Sequence, residues 1–240
     1  DRPSLKFLDV LEVPIYKIGS GELGNWDFIK DIASLNKPVI LSTGMYTNKE
    51  IDVAVDQFRA ANNPNLAILH CVTNYPASPS EISIGRMNFL KEKYKSIIGY
   101  SDHTEGFHIP LGAVTLGAQI IEKHITLDYD IPNAQDWKVS CGPKDFPVFV
   151  KQVRDIEEIL KYKTNHVNQS EIKSKYWATK SLVSKRDINV GEILSANMIE
   201  CMRPGNGIPP CELNNVIGKK VILKIPKNKI LKYQFFEEDD

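Results

Sequence analysis

Cysteine, net charge and long apolar runs are all scarce in this sequence, and each shortage narrows what the protein can be. The four cysteines, Cys71, Cys141, Cys201 and Cys211, form no CxxC pair. A chain of 240 residues has enough core to fold without covalent staples. A disulfide scaffold is therefore excluded, and reduced structural thiols are expected. Thirty basic residues balance thirty acidic ones, so no overall field draws the chain to nucleic acid or to an anionic membrane. An anionic ligand must then be held by local groups. The longest apolar stretches are strand-sized and interrupted, which excludes a transmembrane helix. No basic start followed by an apolar run marks a signal peptide, and a cytoplasmic location is the expectation. The chain starts at Asp1 without an initiating methionine and is read as a piece of a longer protein.

What is present is a rhythm. Short apolar runs rich in Ile and Val, at Ile15–Ser20, Pro38–Thr43, Leu66–Val72, Ile97–Ser101 and Gln119–Thr126, are apolar on both faces and read as buried parallel strands. Helical patterns lie between them, at Asn25–Leu35, Asn48–Ala61, Ile84–Tyr94 and Phe107–Leu116. In the first of these, Phe28, Ile32 and Leu35 form the stripe of a helix laid on a sheet. The strands recur every 22 to 31 residues, the length of a βα unit. Such units fit a doubly wound sheet or part of a (β/α)8 barrel. The barrel is favoured because every strand ends in polar or ionisable residues, and a barrel gathers such ends at one mouth. Five strands do not close it, and three more would lie N-terminal to this sequence.

The fold class expected is therefore α/β, a partial TIM barrel of the last five strands over residues 1–160, followed by a smaller domain. A long amphipathic helix, roughly Asp145–Lys161, tolerates Pro147 in its first turn. The polar stretch that follows suits a linker over 161–179. From Lys180 the pattern changes to short β-like runs, Ser181–Ser184, Ile199–Met202 and Lys220–Ile225, read as a small β-rich domain over 180–240.

Candidate chemistry sits at the strand ends. Lys17-Ile18-Gly19-Ser20-Gly21-Glu22 offers a compact cation, a hydroxyl and glycines that admit an anion close to the backbone. Alone, such a loop is as often a plain surface turn. Ser42 and Thr43, before Gly44, are placed to donate into the mouth, whereas Thr47 with Glu50 reads as a helix cap. His70 and Cys71 read as structural, while Thr73, Asn74 and Tyr75 lie beyond the strand and face a substrate better. The sharpest constellation is Ser101-Asp102-His103 with Glu122-Lys123-His124. Both histidines end consecutive strands, 21 residues apart, so a barrel sets them side by side. A pair of neutral imidazoles with carboxylates nearby (Asp102, Glu122, Asp136) suits Lewis-acid work with Mn, Fe, Zn or Mg. In the small domain, Arg203-Pro204-Gly205-Asn206-Gly207 is a rigid-then-permissive way to present one arginine. Lys227–Lys232 reads as a solvated face, and Glu237–Asp240 as an acidic tail.

Together the segments YKIGSGE, ILSTGM, LHCVTNYP, GYSDHT and IEKHIT resemble the sialic acid synthase family, the N-acetylneuraminate, legionaminate and pseudaminate synthases. The tail, through SLVSKRDINVGEIL and RPGNGIPP followed by IGKK, resembles that family's antifreeze-like SAF domain of β-clip type. The resemblance covers essentially the whole chain. It implies a transferase that condenses phosphoenolpyruvate with an N-acylated amino sugar to give a nonulosonic acid and phosphate. It also implies a divalent metal, Mn2+ or Mg2+, and a domain-swapped homodimer. Carried over, Lys17 and Ser20 resemble the phosphoenolpyruvate-binding pair, with Ser42, Thr73 and Ser101 completing the cradle. His103 and His124 look like the metal ligands. Glu22, Tyr75 and Asp136 match positions near the sugar or the metal's waters, and Arg203 matches an arginine that reaches the partner's sugar. Trp137 stands where many members carry histidine after the aspartate, in Gln135-Asp136-Trp137. A metal-side glutamate and a phosphoenolpyruvate lysine of the family belong to strands not in this sequence, so the chain alone is expected to be inactive. Two alternatives stay open: another barrel enzyme, either an aldolase (a Schiff-base one would work through a lysine such as Lys17 or Lys123) or a different phosphoenolpyruvate-dependent synthase, and a carbohydrate- or ice-binding module in the SAF-like tail.

Overall fold

The β-branched runs become five strands because a run apolar on both sides is stable only when covered on both sides. In the computed structural model, which describes residues 1–131, 136–161 and 167–237, these are β1 (Tyr16–Ile18), β2 (Val39–Ser42), β3 (Leu66–Cys71), β4 (Ile97–Asp102) and β5 (Ile120–Lys123). They pair in parallel and in chain order. The sheet is half of a (β/α)8 barrel, as expected.

The register settles which residues face which way. Lys17 lies opposite Ile40, Ile40 opposite Ala67, Cys71 opposite Ser101, and Ser101 opposite Glu122. With a side-chain period of two, these residues share the concave face. Tyr16, Ile18, Leu41, Ile68 and Ile98 share the other, and all are buried in a core with the helices. The helical side of that core comes from α2 (Trp26–Ser34), α3 (Asn48–Ala60), α4 (Arg86–Tyr94) and α5 (His108–Thr115). Helix α3 shows how the sequence does this. Thr47 caps it in a reciprocal box, with the Thr47 N–H donating to Glu50 Oε2 at 2.8 Å. Its Ile51, Ala54, Val55 and Phe58 then fall on one buried stripe. Helix α6 (Asp145–Ile159) follows, seating Phe149 in a stack on Phe107.

Before β1, a helix without counterpart in the sequence reading forms. α1 (Arg2–Val10) starts at Asp1, whose carboxylate accepts from the Ser4 N–H at 2.8 Å, and carries Pro3 in its first turn. It buries no residue of its own, and Phe7 and Val10 remain exposed.

The described chain divides into two units, Asp1–Tyr162 and Lys163–Asp240. The second begins differently from expectation. Within the stretch read as a linker, 161–179, helix α7 (Gln169–Ala178) forms. Its start is fixed by the Asn168 N–H donating to Glu171 at 3.0 Å, a local cap that outweighs the low apolar content. Residues 162–166 of that stretch lie outside the described residues. The hairpin β6 (Ser181–Ser184) and β7 (Ile199–Met202) is antiparallel. Lys220–Ile225 makes only isolated bridges, Lys220 to Ile193, Val221 to Phe236 and Ile225 to Ile188, rather than a strand. The short helix α8 (Leu213–Val216) adds Val216 to a core with Leu182, Ile188, Leu194 and Leu231. Of the acidic tail, residues 238–240 lie outside the described residues. Among the described residues, no helix is long and apolar enough to cross a membrane.

The convex face carries one costly feature. Lys123 Nζ donates to Asp102 Oδ2 at 2.7 Å, with the two side chains 3% and 0% exposed. Thr104 completes the knot, its hydroxyl donating to Asp102 Oδ1 at 2.8 Å and its carbonyl accepting from Lys123. Removing one partner leaves the other charge buried and alone. Lys123→Met is therefore expected to destabilise the first unit by about 3–5 kcal/mol in urea unfolding. A loss below about 1 kcal/mol, the range of exposed pairs, would contradict the burial argument.

Candidate active site

The concave face gathers most of the singled-out residues at the C-terminal ends of the strands. Lys17 Nζ, on β1, lies 3.2 Å from Glu122 Oε2 on β5, although these two strands do not pair. The sheet is thus curled enough for its two edges to meet across the interior. Ser101, on β4, donates to Glu122 Oε1 at 2.7 Å. Ser20 accepts from the Gly44 N–H at 2.9 Å. Gly44 itself is demanded by crowding: a Cβ there would sit 2.2 Å from Thr73 Oγ1, 2.9 Å from Ser20 Oγ and 3.3 Å from Cys71 Sγ. Ser42 Oγ is buried without a hydrogen-bond partner. Lys17, Ser20, Ser42, Thr73 and Ser101 therefore line one side of a single concavity.

His103 and His124 follow β4 and β5 directly, and their rings meet edge to face with centroids 5.1 Å apart. His103 is buried, and burial is the main reason its imidazole titrates below the ordinary value. Its Nδ1 lies 2.7 Å from the Val72 carbonyl. A carbonyl only accepts, so Nδ1 carries the proton, and the neutral ring keeps a free lone pair on Nε2. His124 Nδ1 lies 3.4 Å from Asp136 Oδ2. Tyr75 covers both rings, tilted over His103 at 4.1 Å and edge-on to His124 at 5.5 Å. Glu22 stands on the loop after β1, its carboxylate accepting from Asn25 at 2.7 Å. Among the described residues, no group of three or more His, Cys, Asp or Glu side chains is arranged to hold a metal ion. The protein thus offers a pair of nitrogens, each with a partner on its far side, and not a closed cage.

The structure places three more of the residues singled out. Asp102 does not flank the histidines: it faces the helices, bound to Lys123 and Thr104. Lys123 faces the same way, its ammonium held in that buried ion pair. Cys71, read as structural, faces the concavity, buried and with its sulfur 3.7 Å from His103 Nδ1. His70 behaves as read, facing outward with Nε2 2.5 Å from the Ile82 carbonyl. Trp137 is 39% exposed beside the aspartate, while Gln135 lies outside the described residues. Arg203 belongs to the second unit, where its Nε donates to the Ala178 carbonyl at 2.9 Å, leaving the outer guanidinium nitrogens without that tie. The residue whose part was not read from sequence is Glu122, which joins Lys17 to Ser101.

Comparison with known proteins finds similarity along nearly the whole chain. Residues 1–165 match the model of the NeuB family, and residues 179–237 that of the SAF domain. The N,N'-diacetyllegionaminic acid synthase of Campylobacter jejuni is 41% identical over 91% of this chain and 66% of its own length. A pseudaminic acid synthase of the same organism is 34% identical over 98% of this chain and 68% of its own length. Among solved structures, an N-acetylneuraminic acid synthetase of Leptospira borgpetersenii is 37% identical, with a TM-score of 0.65, over 72% of this chain and 60% of that one. The chain thus spans about two thirds of the length of the curated relatives it matches.

His70 supplies a measurable signature of the buried wall behind the site. Burial pulls its imidazole below the ordinary value, and the Ile82 carbonyl offsets this only in part. The unfolded chain takes up a proton near pH 6.5 and the folded chain only at lower pH. The stability due to a neutral His70 is complete above about pH 6.5 and is lost as pH falls below it. His70→Gln should therefore show a shallower fall of unfolding free energy between about pH 6.5 and 5 than the unaltered protein. Equal slopes would refute it.

Proposed function

The chain belongs to the NeuB family, and from that premise we propose that it forms the catalytic end of a synthase joining phosphoenolpyruvate to an N-acylated amino-sugar aldehyde. The products would be a nonulosonic, sialic-type acid and phosphate. The observation that carries this is the pairing of His103 with His124, centroids 5.1 Å apart, on the same concave face as Lys17 and Ser101.

The donor chemistry fits a divalent cation such as Mn2+ or Mg2+. His103 is fixed by the Val72 carbonyl so that Nε2 is free, and His124 has Asp136 behind it, the outer-shell pattern that orients metal-ligating imidazoles. A cation held there would supply Lewis-acid polarisation of the sugar aldehyde. The chain's own residues do the positioning. Lys17, with the hydroxyls of Ser20, Ser42, Thr73 and Ser101, grips the phosphate and carboxylate of phosphoenolpyruvate, setting its C3 toward the aldehyde carbon. As the C3–C bond forms, the aldehyde oxygen takes a proton. Water adds at C2 and gives up both its protons, one matching that taken by the aldehyde oxygen and one leaving with phosphate, as the C2–O bond to phosphate breaks and C2 becomes a ketone. Asp136, at His124, is better placed than Glu22, already engaged by Asn25, to move a proton on the histidine side. Tyr75, exposed over the imidazole pair, is a wall for the sugar.

The same proposal includes a homodimer in which Arg203 serves the partner's sugar. It also includes a cytoplasmic address. In the full-length protein, phosphate release from phosphoenolpyruvate and N-acetylmannosamine with Mn2+ present checks the assignment. His103→Ala or His124→Ala is expected to lower turnover by more than about 100-fold, and Asp136→Asn by about 10–100-fold, the range for losing an outer-shell partner. Full activity after both histidine changes would remove the metal assignment.

A further inference from the structure

Glu122 is an oddity in a cradle meant for an anion. Its carboxylate points inward from β5 and takes up two of the donors that the cradle needs: Ser101 Oγ at 2.7 Å and Lys17 Nζ at 3.2 Å. The contact to Lys17 crosses the inside of the curled sheet between its two edge strands. Both side chains of that pair are about one third exposed, 34% and 37%, so the ion pair is solvated and easily given up. Its geometry nevertheless matches what a ligand carboxylate or phosphate oxygen would do there: one oxygen on a hydroxyl, the other on an ammonium.

We infer that Glu122 is an internal stand-in for the substrate's anion, holding Lys17 and Ser101 in place in the free protein and yielding them to phosphoenolpyruvate on binding. The inference rests on the reading of Lys17 and Ser101 as the phosphoenolpyruvate cradle. Two consequences follow from charge alone. The free cradle is kept neutral and ordered, because Glu122 gives the Lys17 ammonium a counter-ion in addition to the Ile18 carbonyl, to which it donates at 3.2 Å. Once phosphoenolpyruvate is seated, Glu122 is left beside a like charge. The carboxylate therefore weakens ground-state binding while keeping the donors preorganised. A purely structural role for Glu122 implies the opposite, since loosening Lys17 and Ser101 would weaken binding.

The sign of one substitution separates the two. Glu122→Gln keeps the shape and an oxygen to accept from Ser101, and removes only the charge. Calorimetric titration of the full chain with phosphoenolpyruvate, in metal-free buffer, is expected to give about tenfold tighter binding for Glu122→Gln than for the unaltered chain. Lys17→Ala, measured alongside, is expected to abolish binding. If Lys17→Ala abolishes binding but Glu122→Gln binds no more tightly, the stand-in is overturned and the cradle stands. If Lys17→Ala binds as the unaltered chain does, or neither the unaltered chain nor Glu122→Gln binds, the cradle falls and the stand-in with it.

Discussion

In-register parallel pairing of five short strands is the constraint on which everything else in the first unit depends. Because neighbouring strands align residue for residue and side chains alternate, one choice of face at Lys17 propagates through Ile40, Ala67 and Ile97 on one line, and through Cys71, Ser101 and Glu122 on the other. A one-residue slip would turn every one of these side chains toward the helices. The helix-facing positions prevent that slip. Ile18, Leu41, Ile68 and Tyr100 are fully or nearly buried against the helices, and a slip would drive Lys17 and Ser101 into that packing.

The two faces use charge in opposite ways. On the convex side Asp102, Lys123 and Thr104 satisfy one another out of water, a closed arrangement that stabilises only while complete. On the concave side nothing is closed. Ser42 Oγ has no partner, Lys17 and Glu122 share a solvated contact, and His103 keeps one nitrogen free. Adjacent residues, Asp102 and His103, or Lys123 and His124, thus fall on opposite sides of the sheet, one of each pair in the closed ionic knot and the other at the concave face. Only alternation separates them.

Much of this was legible beforehand, for identifiable reasons. The strands were read from β-branched runs bounded by polar ends, and the helices from apolar stripes such as Ile51, Ala54, Val55 and Phe58. The histidine pair followed from equal placement at consecutive strand ends. What sequence could not supply was facing. In a strand buried on both sides, such as Leu66–Cys71, no polar alternation marks the inner face. Hence the sequence left the facing of Cys71 open, which is inward, and set Asp102 beside the histidines, whereas it faces the helices. Helix α7 was missed because its stabilisation is a local cap rather than an apolar stripe, and it buries no residue. α1 was missed for a similar reason: its outward face stays exposed, and its signal is one aspartate and one proline.

The second unit contributes its own core and an arginine tied by Nε to the carbonyl of Ala178, a fixed stem with an open fork. The central claim, however, concerns the first unit, where two imidazoles share the concave face with the lysine cradle. The most direct measurement is anomalous diffraction at the manganese edge from crystals grown with Mn2+. A single peak within coordination reach of both His103 and His124, on the side of the sheet bearing Lys17, is the result expected. A peak elsewhere, or the two imidazoles found on opposite faces of the sheet, would contradict it.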